Sequence, residues 1–147
     1  MKTYEELIEL ALEARLMAYT PYSHFKVGAA LMTKDGKVYK GCNIENASYT
    51  PTNCAERTAF FKAISEGETE FSAIAIVGGF EDKKELDFCS PCGVCRQVIR
   101  EFCEDDFKII LLTGQKDGKN TYEIYDLPEI LPFSFGPNDM RIKPKSK

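Results

Sequence analysis

The sequence predicts an α/β fold in which helical segments alternate with five strands. The first helix opens at Thr3-x-x-Glu6, a capping box in which a hydroxyl and a carboxylate satisfy free N–H groups at a helix start. Asp35-Gly36 lies between two strand-like segments, which is typical of a β-hairpin turn. The short polar segment 116–119 implies that the last two strands are antiparallel, because a parallel connection needs a crossover.

Each element follows from apolar spacing and from the residues that start or stop it. The predicted elements are a helix from Thr3 that ends before Pro21, strands 27–32 and 38–43, a helix 54–66, a strand 74–77, a helix 92–103, strands 107–113 and 122–125, and a single helical turn 127–131. Asn53 is expected to cap the second helix and Gly67 to end it. The basic segment 143–147 is expected to fray.

Composition and charge narrow the class of protein. A chain of 147 residues, 44% hydrophobic and 29% charged, is expected to form one domain, residues 1–147, with a substantial core. The net charge of −4 disfavours binding to nucleic-acid phosphates, and no apolar run approaches the ~20 residues of a membrane helix. Acidic residues occupy the place of a signal peptide's apolar region, so we expect a cytoplasmic protein. Its six cysteines are then expected to be ligands or core residues rather than disulfides.

Three cysteines carry the functional hypothesis. Cys92 and Cys95 have the Cys-x-x-Cys spacing that lets two sulfurs reach one metal ion, and Cys54 precedes them in Cys-Ala-Glu. Thiolates select zinc, and three protein ligands leave a fourth position open, which is typical of catalytic zinc. Both motifs fall at predicted helix N-termini, where free N–H groups stabilise thiolates. Cys-Ala-Glu followed about 35 residues later by Pro-Cys-x-x-Cys is typical of zinc-dependent nucleobase deaminases in their three-cysteine form.

Other interpretations also fit these cysteines. A Cys-x-x-Cys pair alone is typical of a redox-active dithiol as well. Cys89 could supply a fourth sulfur and turn the group into a closed structural zinc site. His24 is a further conceivable ligand, whereas Cys42 and Cys103 are expected to be small core residues.

Two charged residues next to Cys54 complete the hypothesis. Hydrolytic deamination needs a group that takes a proton from water and delivers protons to the ring nitrogen and the leaving amine, and Glu56 can perform all these transfers. Arg57 is expected to donate to ligand sulfurs and to withdraw part of the charge of three thiolates. The alternatives are that Glu56 is an ordinary acidic residue of a helix first turn, without a catalytic role, and that Arg57 is a surface arginine.

Further segments, taken together, identify a family. They are Ala18-Tyr19-Thr20-Pro21-Tyr22-Ser23, Val27-Gly28-Ala29-Ala30-Leu31, Asn43-Ile44-Glu45-Asn46-Ala47-Ser48-Tyr49, Cys54-Ala55-Glu56-Arg57, and residues 90–97 and 131–137. Over nearly its whole length the sequence resembles the cytidine deaminases of the small homotetrameric form. The resemblance implies a three-layer α/β/α fold with a five-stranded mixed sheet flanked by helices, and one Zn²⁺ per subunit.

The resemblance also assigns residues to the substrate. It implies that Asn43 and Glu45 bind the ribose hydroxyls and that Phe25 packs beside the nucleoside. We expect Glu45 to be a buried carboxylate that repels phosphate, which limits the substrates to nucleosides.

The resemblance further implies a homotetramer with active sites shared between subunits. The backbone of Ala47 and the ring of Phe135 are expected to reach a neighbouring subunit's site. Phe133-Ser134-Phe135 offers two aromatic residues, which leaves open which of them stacks on the base.

These features predict hydrolysis of cytidine and deoxycytidine to uridine and deoxyuridine with release of ammonia, as in pyrimidine salvage. The nearest rival is a deaminase of a modified cytosine nucleoside, of the blasticidin type, although Asn43-x-Glu45 favours a plain ribose diol. A polynucleotide deaminase would require a basic groove and usually a helix before the fifth strand, where segment 116–119 predicts a turn. A non-enzymatic zinc module would require a fourth protein ligand.

Overall fold

Residues 1–142 are described by a computed structural model, in which helices cover both faces of one five-stranded sheet. The helices are α1 (Tyr4–Arg15), α2 (Ala55–Ser65), α3 (Gly93–Phe102) and α4 (Leu127–Ile130). The strands are β1 (Phe25–Thr33), β2 (Val38–Cys42), β3 (Phe71–Phe80), β4 (Lys108–Lys116) and β5 (Lys119–Asp126). The expectation for residues 143–147 lies outside the described residues, among which no helix is long and apolar enough to cross a bilayer.

The sheet has the order β2-β1-β3-β4-β5 and mixed pairing. β1 is antiparallel to β2 and β3, β3 is parallel to β4, and β4 is antiparallel to β5. The predicted α/β fold and the antiparallel final pair are therefore confirmed. Asp117 and Gly118, both at positive φ, form the two-residue turn between these strands, whose twist suits a hairpin.

Two apolar clusters hold the layers together. On one face α1 packs against the sheet through Leu7, Ile8 and Ala11, and on the other face α2 and α3 pack through Ala59, Phe60, Ala63 and Ile99. Phe60 is fully buried and its ring centroid lies 5.1 Å from that of Phe71. A change of such a buried phenylalanine to alanine costs about 3–5 kcal/mol of folding free energy.

The strand directions bring two helix N-termini to one edge of the sheet. β2 and β3 are both antiparallel to β1, so they run in the same direction, and α2 follows β2 as α3 follows β3. Since α2 and α3 cover the same face, both begin near the carboxyl ends of these strands. In open α/β sheets this edge is where ligands bind.

A glycine fixes how closely α2 approaches its strand. A Cβ at Gly41 in β2 would lie 2.4 Å from the carbonyl oxygen of Ala55 and 2.5 Å from the nitrogen of Ala59. No side chain fits there, so the first turn of α2 rests directly on the backbone of β2. The helix start that carries Cys54 and Glu56 is thereby held against the sheet.

Two local predictions are wrong. Cys54, not Asn53, is the N-cap of α2, because Asn53 continues a backbone bridge with Ile44 and its side-chain amide donates to Thr58. β3 extends from Phe71 to Phe80 rather than over residues 74–77 alone. Its glycines at 78 and 79 resemble a strand end in sequence, yet their backbone pairing with β1 continues to Phe80.

Candidate active site

The three cysteines of the predicted metal site meet where α2 and α3 begin. Cys54 is the N-cap residue of α2 and Cys92 that of α3. The Sγ atoms of Cys54, Cys92 and Cys95 all lie within 4.8 Å of one another. The backbone N–H of Cys95 donates to the sulfur of Cys92 at 3.5 Å, so the start of α3 favours a thiolate there.

The donor set fits zinc. The Sγ atoms of Cys54 and Cys92 are 3.7 Å apart, and tetrahedral sulfur ligands about 2.3 Å from zinc lie about 3.8 Å from one another. The neighbouring thiol of Cys95, with help from Arg57, lowers the pKa of Cys54 to about 5, so this sulfur is a thiolate at neutral pH. The group found among the described residues does not include Cys89, so its geometry gives no support to a four-sulfur site.

Glu56 lies in the first turn of α2, two residues beyond Cys54. Glu56 is 4% exposed, whereas an ordinary acidic residue in a helix first turn would be exposed to solvent. Burial, together with the nearby sulfur of Cys54, raises the pKa of Glu56 to about 7. A carboxyl group with such a pKa both accepts and donates a proton near neutrality, which is what a general acid–base catalyst needs.

Arg57 faces the same sulfurs from the next position of α2. Its Nη2 donates to the Sγ of Cys54 at 3.2 Å, so it is not a surface arginine. Its Nε is buried and has no hydrogen-bond partner within residues 1–142. A guanidinium in this place offsets part of the negative charge that three thiolates bring together.

The remaining cysteines and the histidine lie outside this group. All six cysteines are free thiols in the structure, with Cys103 buried and Cys42 half-buried. The Nδ1 of His24 is 3.1 Å from a carboxylate oxygen of Glu81, which places it in an exposed pair rather than among the sulfurs.

Asn43 is fastened to the neighbouring strand through its side chain. Its Oδ1 accepts from the backbone N–H of Val27 at 2.8 Å, and its Nδ2 donates to the carbonyl of Phe25, also at 2.8 Å. The side-chain amide therefore continues the pairing of β1 where β2 has ended. One N–H and one oxygen lone pair of this amide are left for a ligand.

Glu45 is half-buried at the rim of a recess, so the expectation of a buried carboxylate is wrong. Its oxygens accept from the backbone N–H groups of Tyr22 and Ser23 at 3.0 and 3.1 Å, and from the hydroxyl of Ser23. The hydrogen bond from the Ser23 hydroxyl is the main reason that the pKa of Glu45 is lowered. The carboxylate is thus ionised, and it is held by the loop rather than by the core.

This recess has a volume of about 440 Å³ and is lined by Tyr22, Ser23, Glu45, Tyr49 and Thr52. The rings of Tyr22 and Tyr49 meet edge to face across it, with centroids 6.0 Å apart. Phe25, two residues after Ser23, is half-buried, and its ring packs edge to face on that of Phe80 with centroids 5.2 Å apart. The recess therefore has aromatic and carboxylate walls, but its lining includes none of the three cysteines, nor Glu56 or Asn43.

Two predicted substrate residues are exposed to solvent in the single chain. Ala47 is exposed in the loop before α2. Phe135 is 61% exposed, and its backbone carbonyl is bound by Gln97 of α3. Because a ring that fills the core would be buried, Phe135 is not a core residue of its own chain.

Ser23 is a functional residue that the sequence alone does not mark. Its hydroxyl donates to Glu45 and also accepts from the backbone N–H of Phe25 at 3.0 Å, so it links the carboxylate to the start of β1. A serine two residues before a strand is a known turn former, and that signal could have marked it. Its partner Glu45 is 22 residues away in the chain and has no such local signal.

Comparison with known proteins agrees with this geometry. The family model of the cytidine and deoxycytidylate deaminase zinc-binding region matches residues 1–111. A cytidine deaminase of Sporosarcina psychrophila is 47% identical over 92% of this chain and 93% of its own length, and one of Halalkalibacterium halodurans is 50% identical over 91% and 95%. The crystal structure of a cytidine deaminase from Burkholderia pseudomallei superimposes with a TM-score of 0.79, at 46% identity, over 91% of this chain and 100% of that one. The chain therefore belongs to the family of zinc-dependent cytidine and deoxycytidylate deaminases.

Proposed function

We propose that this protein hydrolyses cytidine and deoxycytidine to uridine and deoxyuridine and releases ammonia, with one zinc ion per subunit. The observation that carries the proposal is the buried Glu56 beside three clustered cysteine sulfurs. The relatives named as cytidine deaminases, which match over nearly their full lengths, support this choice of substrate.

The cysteines and Glu56 divide the chemistry between them. Zinc held by Cys54, Cys92 and Cys95 supplies a Lewis acid that lowers the pKa of water. Glu56 takes a proton from the water that attacks C4 of the pyrimidine and gives it to ring nitrogen N3. It then carries the proton of the new hydroxyl to the amino group. The C4–N bond breaks, ammonia leaves, and the carbonyl of uridine remains.

The rim residues are assigned to the sugar. Asn43 and Glu45 are proposed to bind the ribose hydroxyls, and Phe25 to pack beside the nucleoside. The ionised carboxylate of Glu45 at the recess supports a preference for nucleosides, because it would repel a phosphate at that place.

A homotetramer with shared sites is the second part of the proposal. Within residues 1–142 the ring of Phe135 and the loop at Ala47 are exposed, and exposed aromatics are typical anchors of protein interfaces. We propose that both reach a neighbouring subunit's site, and that residues 1–147 act as one domain of a cytoplasmic enzyme of pyrimidine salvage. Six free thiols suit a reducing compartment.

The test is incubation of the zinc-loaded protein with cytidine, monitored by the absorbance change from cytosine to uracil and by released ammonia. Deoxycytidine, cytidine monophosphate, a cytosine-containing oligonucleotide and blasticidin S serve as parallel substrates. We expect turnover of the two nucleosides alone. Turnover of blasticidin S without cytidine would favour the rival deaminase, and turnover of the nucleotide would contradict the role of Glu45. A folded, zinc-loaded protein that is inactive on every substrate would overturn the proposal.

A further inference from the structure

The segment that carries Phe133 and Phe135 combines free side chains with a fastened backbone. Phe133 is 107% exposed and adopts φ +54°, and Phe135 is 61% exposed. The chain before and between these rings, and the carbonyl of Phe135 itself, are nevertheless bound to α3 by side-chain hydrogen bonds. Exposed rings on a mobile segment would need no such bonds, so their presentation calls for an explanation.

Two side chains of α3 make the contacts nearest to the rings. The Nε2 of Gln97 donates to the backbone carbonyl of Phe135 at 2.8 Å. The Nε of Arg100 donates to the hydroxyl of Ser134 at 3.0 Å. A Cβ at Gly136 would lie 2.4 Å from the Cζ of Arg100, so the guanidinium rests directly on the backbone of this glycine.

The neighbouring contacts extend this fastening in both directions. Arg96 donates from Nη1 to the carbonyl of Ile130 at 2.6 Å and from Nε to the carbonyl of Pro91 at 2.8 Å. Asp139 accepts from the backbone N–H of Gly136 at 2.8 Å. The polar face of α3 therefore holds the segment at its beginning and beside its rings, and a contact within the segment closes the turn that follows.

We propose that Gln97 and Arg100 are positioning residues that fix the ring of Phe135 for the active site of a neighbouring subunit. The inference rests on the shared site proposed above. A ring stacks on a base only over a narrow range of positions, and Gln97 binds the carbonyl of the very residue that carries the ring. Because α3 already orders the segment before the substrate binds, the entropy cost of ordering it does not weaken substrate binding.

A substitution of Gln97 should therefore affect the active site of the neighbouring subunit rather than the site of the chain that carries it. Three variants separate these two effects. The acceptor is Phe135→Ala, which keeps Glu56 but supplies no ring, and the donor is Glu56→Gln, which supplies a ring but no proton shuttle. The test donor is the double variant Glu56→Gln with Gln97→Ala. Each donor is assembled in excess with a small amount of tagged acceptor, and the KM for cytidine is measured on the purified mixed tetramers.

The plain donor should lower the KM of the acceptor sites towards the wild-type value. With the test donor we expect a KM about 3- to 10-fold higher than with the plain donor, the effect of one lost hydrogen bond, at unchanged kcat. Gln97→Glu, which removes the donor group at constant size, should act like Gln97→Ala. Glu101→Ala, at an exposed position of the same helix, is the matched control and should behave like the plain donor. Zinc content and tetramer mass are measured for every mixture.

Two outcomes would overturn the inference in distinguishable ways. If the test donor rescues the acceptor as well as the plain donor does, the shared site stands and the positioning role of Gln97 is wrong. If the plain donor does not rescue the acceptor, the shared site is wrong and the positioning role falls with it. If Gln97→Ala does not assemble, Gln97→Glu and a second test donor with Arg100→Lys decide by the same comparison.

Discussion

The metal centre and the C-terminal aromatic segment are built in opposite ways. At the metal centre most of the functional side chains are covered by their own chain: Glu56 is 4% exposed, Cys95 is 1% exposed, and Arg57 donates to Cys54, whereas Cys92 is exposed. In the segment, Gln97 binds the backbone carbonyl of Phe135 and Arg100 binds the hydroxyl of Ser134, while the rings of Phe133 and Phe135 are exposed. The first region is largely buried in its own chain, whereas the rings of the second are exposed.

This difference separates the chemical step from substrate affinity. Burial of Glu56 raises its pKa, an effect that requires a dry and fixed environment inside one subunit. An exposed ring contributes nothing to such an effect, but it can complete a binding surface on another subunit. Damage to the metal centre should therefore lower kcat, and damage to the segment should raise KM.

The largest effect is expected for Glu56→Gln. The amide cannot move protons, and general acid–base catalysis is worth roughly 10²–10⁴-fold, so kcat should fall by about 10⁴-fold or more for a residue that serves several transfers. Zinc content and thermal unfolding should stay normal. Glu66→Gln, at the exposed end of the same helix, is the control, and near-normal turnover of Glu56→Gln would remove Glu56 from the mechanism.

Arg57→Met should lower kcat by about 10- to 100-fold, the usual cost of removing a group that binds a metal ligand. Without the guanidinium, the charge on the Cys54 sulfur is no longer offset, which weakens the metal as a Lewis acid. Metal analysis and steady-state kinetics test this. An unchanged kcat with bound zinc would show that the hydrogen bond to Cys54 is only structural.

Phe135→Ala should raise the KM for cytidine about tenfold or more, since stacking on a base is worth about 1–3 kcal/mol. Truncation after Leu131 should have at least this effect even where each chain keeps its zinc. Phe133→Ala is the matched comparison and decides which of the two rings stacks. Full activity of a well-folded monomer at nanomolar concentration would contradict the shared site.

Cys89→Ser should have the smallest effect, because Cys89 is outside the sulfur group. We expect one zinc per chain and normal turnover, measured by elemental analysis and by the cytidine assay. Loss of zinc in this variant would mean that the site has four sulfur ligands, and the catalytic interpretation of the open position would fail with it.

The parts of the molecule that the sequence predicts are those with a local cause. The capping box of Thr3 and Glu6 and the turn at Asp117-Gly118 each occupy a few neighbouring residues, and both are present in the structure. Each cysteine motif is likewise local, because it lies at one helix start, and the common direction of β2 and β3 brings the two starts to the same edge of the sheet.

What the sequence does not predict depends on contacts between distant residues. The hydrogen bonds from Ser23 to Glu45 cross 22 positions, and they place the carboxylate at a loop rather than in the core. The continuation of β3 through Gly79 depends on pairing with β1, which overrides the weak strand preference of glycine. The contact of Gln97 with Phe135 likewise has no counterpart in the local pattern.

The fastening of Asn43 has a consequence for the entropy of binding. A side chain that is free in solution and fixed by a ligand costs about 0.5–1.5 kcal/mol when it loses its rotamers. Asn43 has lost them on folding, because both ends of its amide are bound to β1 through Val27 and Phe25. If it meets the ribose as proposed, the sugar finds an amide already in its bound rotamer, and that entropic cost belongs to the folding of the sheet instead of the capture of substrate.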